Sequence, residues 1–249
     1  MTDQLSLRLE PERPVLPALP ELRPMLPRPL AEPFDSDEYL FQPWWGGRRA
    51  LVYVGPAESA GAGAVRIADE DGLDITRHLR ELTGLAVRVD ARSAVLDGEL
   101  VVVDSSGRAD APAMAARLEG RAGRAVAFLA LDLLHLNGRS LLNQPLAKRH
   151  EALRRVLRPG DEVVAVPAIP TEGRALWDAV VAQGVAGVLA RQRSSPYLPA
   201  VRSRLWRFIA AAPGAASETG EPTEEEAATR PAAAPVLALI ERLPLDLGE

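Results

Sequence analysis

No cysteine occurs in the 249 residues, which excludes disulfides and thiolate metal sites. Lysine is nearly as scarce. Of the 29 basic residues all but Lys148 are arginine, so chemistry that needs a lysine nucleophile has one candidate. The three histidines, His78, His135 and His150, stand far apart and lack the spacing of a metal site. No apolar run approaches the ~20 residues that span a bilayer, and no leader has a basic-then-apolar layout. A cytoplasmic protein with no membrane partner is expected. What remains, 47% apolar and 25% charged residues, is the composition of an ordinary globular chain.

Composition divides the chain into four parts. Residues 1–24 are punctuated by proline ("PERPVLPALPELRP") and read as an extended arm on the domain surface. Residues 25–212 form the body. Residues 213–235 are rich in Ala, Pro and Glu without an aromatic residue, as in a disordered linker. Residues 236–249 hold Val236, Leu237, Ile240 and Leu243 at helical spacing before Pro244, a short amphipathic segment. Two readings of that segment stand: a helix folded back on its own domain, or a docking peptide for another protein. The arm holds 3 basic and 4 acidic residues and the tail 2 and 8, so the body is near +2 although the chain is −5. Such a body is not repelled by nucleic acid, yet it lacks the strongly basic footprint of a dedicated binder.

Within the body, "LFQPWWGGRRALVYV" predicts strand, tight turn, strand, and "AVRIAD" a neighbouring strand. "DGLDITRHLREL" predicts a turn and a helix. "SAVLDGELVVVDSSGRAD" reads as strand, break at Asp-Gly, strand and a hairpin-type turn at "SSG". "AVAFLALDLLHLNG" is a buried strand, "LAKRHEALRRVL" an amphipathic helix, "DEVVAVPAI" a strand and "GRALWDAVVAQG" a helix closed by glycine. "VAGVLAR" and "RSRLWRFI" are the last strands. An α+β domain of antiparallel sheets with flanking helices follows.

Read in order, these segments resemble the adenylation domain of ATP-dependent DNA ligases, in particular the ligase module of bacterial end-joining proteins. "RPMLPRPLAEPFDSDEYLFQPWWGGRRALVYV" is similar to the family opening that ends E-P-K-W-D-G-x-R-A. "LDGELVVVD" matches its D-G-E strand, and "FLALDLLHLNGRSLLNQPLAKRHEAL" its F-D-L-L-x-L-x-G-x-x-L segment. "GVAGVLARQRSSPYLPAVRSRLWRFI" resembles its E-G-V-V-x-K…S-P-Y segment and closing W-x-K-x-K strand. The likeness runs from about Arg23 to Ile209. It implies an ATP-grasp-like nucleotidyltransferase fold, ATP and Mg²⁺ as cofactors, and DNA ends or nicks as partners. The family's oligonucleotide-binding barrel is not expected after Phe208, because the remaining residues are too few and too polar.

The family's reaction needs a lysine amine to attack the α-phosphate of ATP. At that position stands Trp44, whose indole nitrogen has no lone pair to offer. The aspartate two places on is Gly46, whereas the arginine of the motif is kept as Arg49. Glu99 keeps the ribose or metal contact. Leu131 replaces the aromatic face for adenine, and Ala186 the metal-binding glutamate. Arg191 replaces the following lysine, Phe208 and Ala210 the two phosphate lysines, and Asp69 and Glu70 an S-R pair expected to face DNA. Trp44 is expected to fill the former nucleotide pocket and Trp45 to point into the core. Lys148 sits on a helix outside the pocket and reads as a solvated charge.

Losing nucleophile, stacking face, metal ligand and phosphate lysines together implies a domain without catalytic residues, in which ATP and Mg²⁺ binding is weak or lost. The residual pocket would be Arg49, Glu99, Leu131 and Arg191. Arg193, Arg202, Arg204 and Arg207 could still hold a phosphate backbone, against the plainer reading of solvated strand edges. The competing expectations are an active ligase with an unusual site and an ATP sensor.

Overall fold

In the computed structural model, residues 19–55, 65–211 and 233–243 are described. Two sheets carry the domain. The first has the order β1 (Leu26–Pro29), β11 (Arg202–Ala210), β10 (Gly187–Gln192), β2 (Ser36–Trp44), β9 (Ile169–Thr171). The second runs β4 (Val65–Asp69), β3 (Arg48–Val54), β5 (Ala94–Val101), β6 (Ala127–Leu136), β7 (Arg139–Ser140), with β8 (Val163–Ala165) also paired to β6. Helices α1 (Ala111–Leu118), α2 (Leu146–Val156), α3 (Gly173–Ala182) and α4 (Ala234–Ile240) flank them. None of the described helices is long and apolar enough to cross a membrane.

The sheets are not purely antiparallel as expected. β1 pairs β11 in parallel, and β8 pairs β6 in parallel. The second pairing follows from connectivity, since α2 lies between β6 and β8 and returns the chain to run in the same direction. The first puts a proline-rich strand at a sheet edge, where a missing N–H is tolerated.

Several local expectations change for physical reasons. The Trp45-Gly46-Gly47 turn does not join neighbouring strands of one sheet, because β2 and β3 lie in different sheets. It is the crossing point between them. Gly46 has φ +77°, and a Cβ on Gly47 would sit 2.4 Å from the Leu100 carbonyl oxygen, so both glycines are required. Asp97-Gly98 does not break β5 but runs through it with a register shift, and a Cβ on Gly98 would meet the Leu129 oxygen at 2.2 Å. The glycine there permits close strand approach rather than a turn. "DGLDITRHLREL" forms two 3₁₀ segments, Thr76–His78 and Arg80–Arg88, in place of one α-helix. "DEVVAVPAI" divides into β8 and β9, one in each sheet. Helix α1 was not anticipated; Asp110 caps it by accepting from the Ala113 amide, and Pro112 occupies its first turn.

One apolar cluster draws on both sheets, with Phe41, Val188 and Ile209 from the first and Val101, Leu129 and Leu131 from the second. Helix α4 belongs to it through Val236, Leu239 and Ile240, joined by Ala233 and Leu243. The fold-back alternative is therefore the one observed, and the apolar face read as a docking peptide is buried in the chain's own core. Residues 233–235 also belong to this element rather than to the linker, Pro235 being tolerated in a first turn. Residues 213–232 lie outside the described residues, as do 1–18 of the arm. Arm residues Leu19 and Leu22 pack on a third cluster, and Tyr53 Oη accepts from the Leu22 amide at 3.1 Å. A second cluster, with Leu79, Leu82, Leu85, Met114 and Leu153, packs the 3₁₀ segments, α1 and α2 onto the second sheet.

Candidate functional site

The crossing turn between β2 and β3 borders a cleft of about 330 Å³. Leu26, Pro27, Trp44, Gly47, Arg48, Arg49, Glu70, Arg202 and Phe208 line it. Each strand supplies its residue for a topological reason. Trp44 ends β2, Arg48 and Arg49 begin β3, and the parallel pairing of β1 with β11 brings Leu26 opposite Arg202.

Trp44 is half-buried and packs against Phe208, ring centroids 5.9 Å apart and tilted by 54°. It forms a wall of the cleft and also packs against the core shared by the two sheets. Trp45, 2% exposed, is the core residue, and its indole N–H donates to the Gly107 carbonyl at 2.9 Å. The pair thus divides as alternation along a strand requires.

Arg49 is 4% exposed and forms a two-pronged pair with Asp97, Nε to Oδ1 at 2.8 Å and Nη2 to Oδ2 at 2.5 Å. Its Nη1 has no partner. The guanidinium lies 5.4 Å from the Trp44 ring centroid and 5.6 Å from that of Trp206. Tyr197 donates to Asp97 Oδ2 at 2.9 Å. Arg48 reaches outward to Asp69 at 3.3 Å and Glu70 at 3.2 Å. Asp69 is buried and Oδ1 accepts the Asp71 and Leu73 amides, so it serves its own turn. Of the two acidic positions expected at the DNA side, Glu70 alone lines the cleft.

Glu99 is wholly buried beneath the turn, accepting the Gly47 amide at 2.8 Å through Oε2, while Oε1 is unpartnered. Burial raises its pKa from 4.5 to about 7, opposed by the Gly47 amide, Arg49 and the amides of Trp45 and Gly46. Folded protein therefore holds a proton that the unfolded chain releases. The resulting stabilisation is full below about pH 4.5 and is lost as pH rises through about 7. Relative to Glu99→Gln, the native chain is expected to lose about 3 kcal/mol over that interval, read from urea midpoints at several pH values. His150 slopes the other way, since burial lowers it from 6.5 to about 4 and its stabilisation is lost as pH falls.

The other expected pocket residues lie in the interior. Leu131 is fully buried in the core shared by the two sheets. Arg191, also fully buried, donates to Asp132 at 3.1 Å, to the Leu131 carbonyl at 2.7 Å and to Gln42 Oε1. Burial lowers its pKa to about 10, against the pull of Asp132. It therefore belongs to a charge network and not to the cleft. The four arginines read as a backbone-binding group do not converge. Arg202 lines the cleft and donates to the Pro27 carbonyl, Arg193 is exposed and donates to the Asp37 carbonyl, Arg204 is exposed and Arg207 half-buried. Lys148 is 70% exposed beside Glu151, as expected of a solvated helix charge. Arg48 and the Leu26–Pro27 wall were missed. The "GGRR" doublet could have pointed to Arg48, whereas nothing local marks Leu26.

Trp44 and Phe208 give this cleft an apolar wall, and of its arginines Arg48 is paired with Asp69 and Glu70, Arg49 with Asp97, while Arg202 meets the Pro27 carbonyl. Among the described residues no three His, Asp or Glu side chains cluster to ligate a metal.

The chain matches the family described as the ATP-dependent DNA ligase domain over residues 32–208. It is 34% identical over 171 residues to the multifunctional non-homologous end joining protein LigD of Mycobacterium bovis, covering 69% of this chain and 21% of that protein. DNA ligase C1 of Mycolicibacterium smegmatis is 30% identical over 208 residues, 75% of this chain and 56% of that one. The chain thus spans about a fifth of the LigD relative and about half of the ligase C relative. The solved structure of a mycobacterial DNA ligase D complexed with ATP and MES superposes with TM-score 0.64 at 30% identity, covering 76% of this chain and 60% of that one. The ligase domain of M. tuberculosis LigD gives 0.63 at 31%, covering 75% and 58%. With four motif segments in order, two sheets joined at the crossing turn and a family match over most of its length, the chain belongs to the ATP-dependent DNA ligase domain family.

Proposed function

We propose that this domain keeps the ligase fold without forming an enzyme–AMP intermediate, and that it acts in the cytoplasm by holding DNA ends or nicks during end joining. The observation that carries the reading is the cleft wall. Where an amine must meet a nucleotide α-phosphate, an indole, Trp44, packs against Phe208. No lysine lines the cleft.

ATP·Mg²⁺ does not fit the residues present. Leu131 is enclosed in core and offers no aromatic face, Ala186 offers no oxygen ligand, and Glu99 has one oxygen committed to the Gly47 amide. Arg202 at the cleft and the exposed Arg193 and Arg204 supply charge that can attract a phosphate backbone. The experiment is incubation of purified protein with Mg²⁺ and α-labelled ATP, followed by a denaturing gel, with an active LigD ligase domain as positive control. No labelled band is expected from the native chain. Trp44→Lys is also expected to stay unlabelled, because the metal ligand and both phosphate lysines are replaced as well. A stable adduct on the native chain would overturn the reading.

A further inference from the structure

We propose that the Trp44–Phe208 cleft binds an unpaired nucleobase at a DNA strand end, stacking it on the indole while Arg202 and Arg48 hold its phosphate. This rests on the reading that the domain holds DNA, and it adds which part of the DNA enters which site.

The size and lining point to this ligand class. About 330 Å³ is at the low end of small-molecule sites, room for one nucleotide and not for a duplex. Trp44 and Phe208 give a stacking wall, and Arg202, which donates to the Pro27 carbonyl, brings positive charge to the cleft beside Arg48, whose charge is shared with Asp69 and Glu70. An aromatic anion satisfies both. Inside a duplex each base face is covered by its neighbours. The face exposed at a blunt end belongs to a base pair, which is too wide for a cleft that holds one nucleotide, so the base that stacks must be unpaired. Stacking of this kind is tolerant of base identity, so no sequence preference is expected.

The test compares fluorescein-labelled duplexes by anisotropy, one blunt and one with a short single-stranded overhang, at fixed salt with the full chain. The native protein is expected to bind the overhang roughly tenfold more tightly, the scale of one stacked base. Trp44→Leu, which keeps an apolar side chain but has no π face, is expected to bring the ratio to about one. Trp44→Phe restores most of it. Thymidine monophosphate is expected to displace the overhang only at far higher concentration than an unlabelled overhang oligonucleotide does. Equal binding of blunt and overhang DNA, or a ratio unchanged in Trp44→Leu, overturns the inference and leaves the DNA-holding reading standing. Equal competition by the mononucleotide assigns the cleft to a free nucleotide and overturns the strand-end assignment. Failure to bind either duplex overturns both.

Discussion

Asp132→Ala is expected to destabilise the domain by about 3–5 kcal/mol, with the urea midpoint falling and the slope of the transition unchanged. Asp132 is fully buried between two fully buried arginines. Arg149 grips it with Nε to Oδ1 at 3.0 Å and Nη2 to Oδ2 at 2.9 Å, and Arg191 Nη1 reaches Oδ2 at 3.1 Å. The three come from β6 in the second sheet, α2, and β10 in the first sheet, so the carboxylate ties the two layers and a helix together. Removing it leaves two guanidiniums out of water without a counter-charge. Their remaining acceptors are neutral: the Gln144 and Ser195 carbonyls for Arg149, and the Leu131 carbonyl and Gln42 for Arg191. The penalty is for stranded charge rather than lost attraction, and that has a consequence of its own. Asp132→Leu combined with Arg149→Met and Arg191→Met should recover part of the loss, because an apolar trio of similar volume strands no charge, although the Leu131 carbonyl and Gln42 lose a donor. A triple variant no more stable than Asp132→Ala would contradict this account.

The same network shows why the site was only partly legible in the sequence. Strands announced themselves wherever burial imposed a pattern. All of β5 and nearly all of β6 are buried; the apolar run gave β6 away, and marked β5 on either side of the Asp97-Gly98 pair that was read as a break. Trp44, Phe208 and Ala186 stood out because a family motif fixes what should occupy those positions. Arg191 was misplaced for the same reason. The motif marks a pocket lysine, and a position-by-position comparison cannot tell that a planar guanidinium three donors wide is satisfied inside, by Asp132, Leu131 and Gln42. Arg48 and Leu26 escaped because the cleft is made by contacts distant in sequence, such as Leu26 beside Arg202 in a parallel pair. No local propensity encodes that register. Gly98 misled because glycine after aspartate usually signals a turn, and only the neighbouring Leu129 carbonyl reveals that it is needed for close strand packing.

Leu239→Asp is expected to release α4 from the core at a cost of several kcal/mol. The comparison is with Leu239→Ala, for which about 2–5 kcal/mol is the scale of a large-to-small change in a core. Leu239 and Val236 are fully buried and Ile240 and Leu243 nearly so. The helix is further located by the Ala233 amide on the Asp161 carbonyl at 2.7 Å and by Gly107, where a Cβ would approach the Pro235 carbonyl oxygen to 2.5 Å. An isolated carboxylate at Leu239 costs more to bury than a helix of seven residues can return on docking, so undocking caps the loss. Hydrogen exchange separates the outcomes. Amides of α4 should exchange at the rate of an open chain while those of β5 and β6 keep their protection. Protected α4 amides in Leu239→Asp would show that the charge is accommodated in place. The helix belongs to an apolar cluster that also holds Trp45, Val101, Val103 and Leu131, so undocking breaches an apolar core. The freed face should bind a hydrophobic dye and promote self-association.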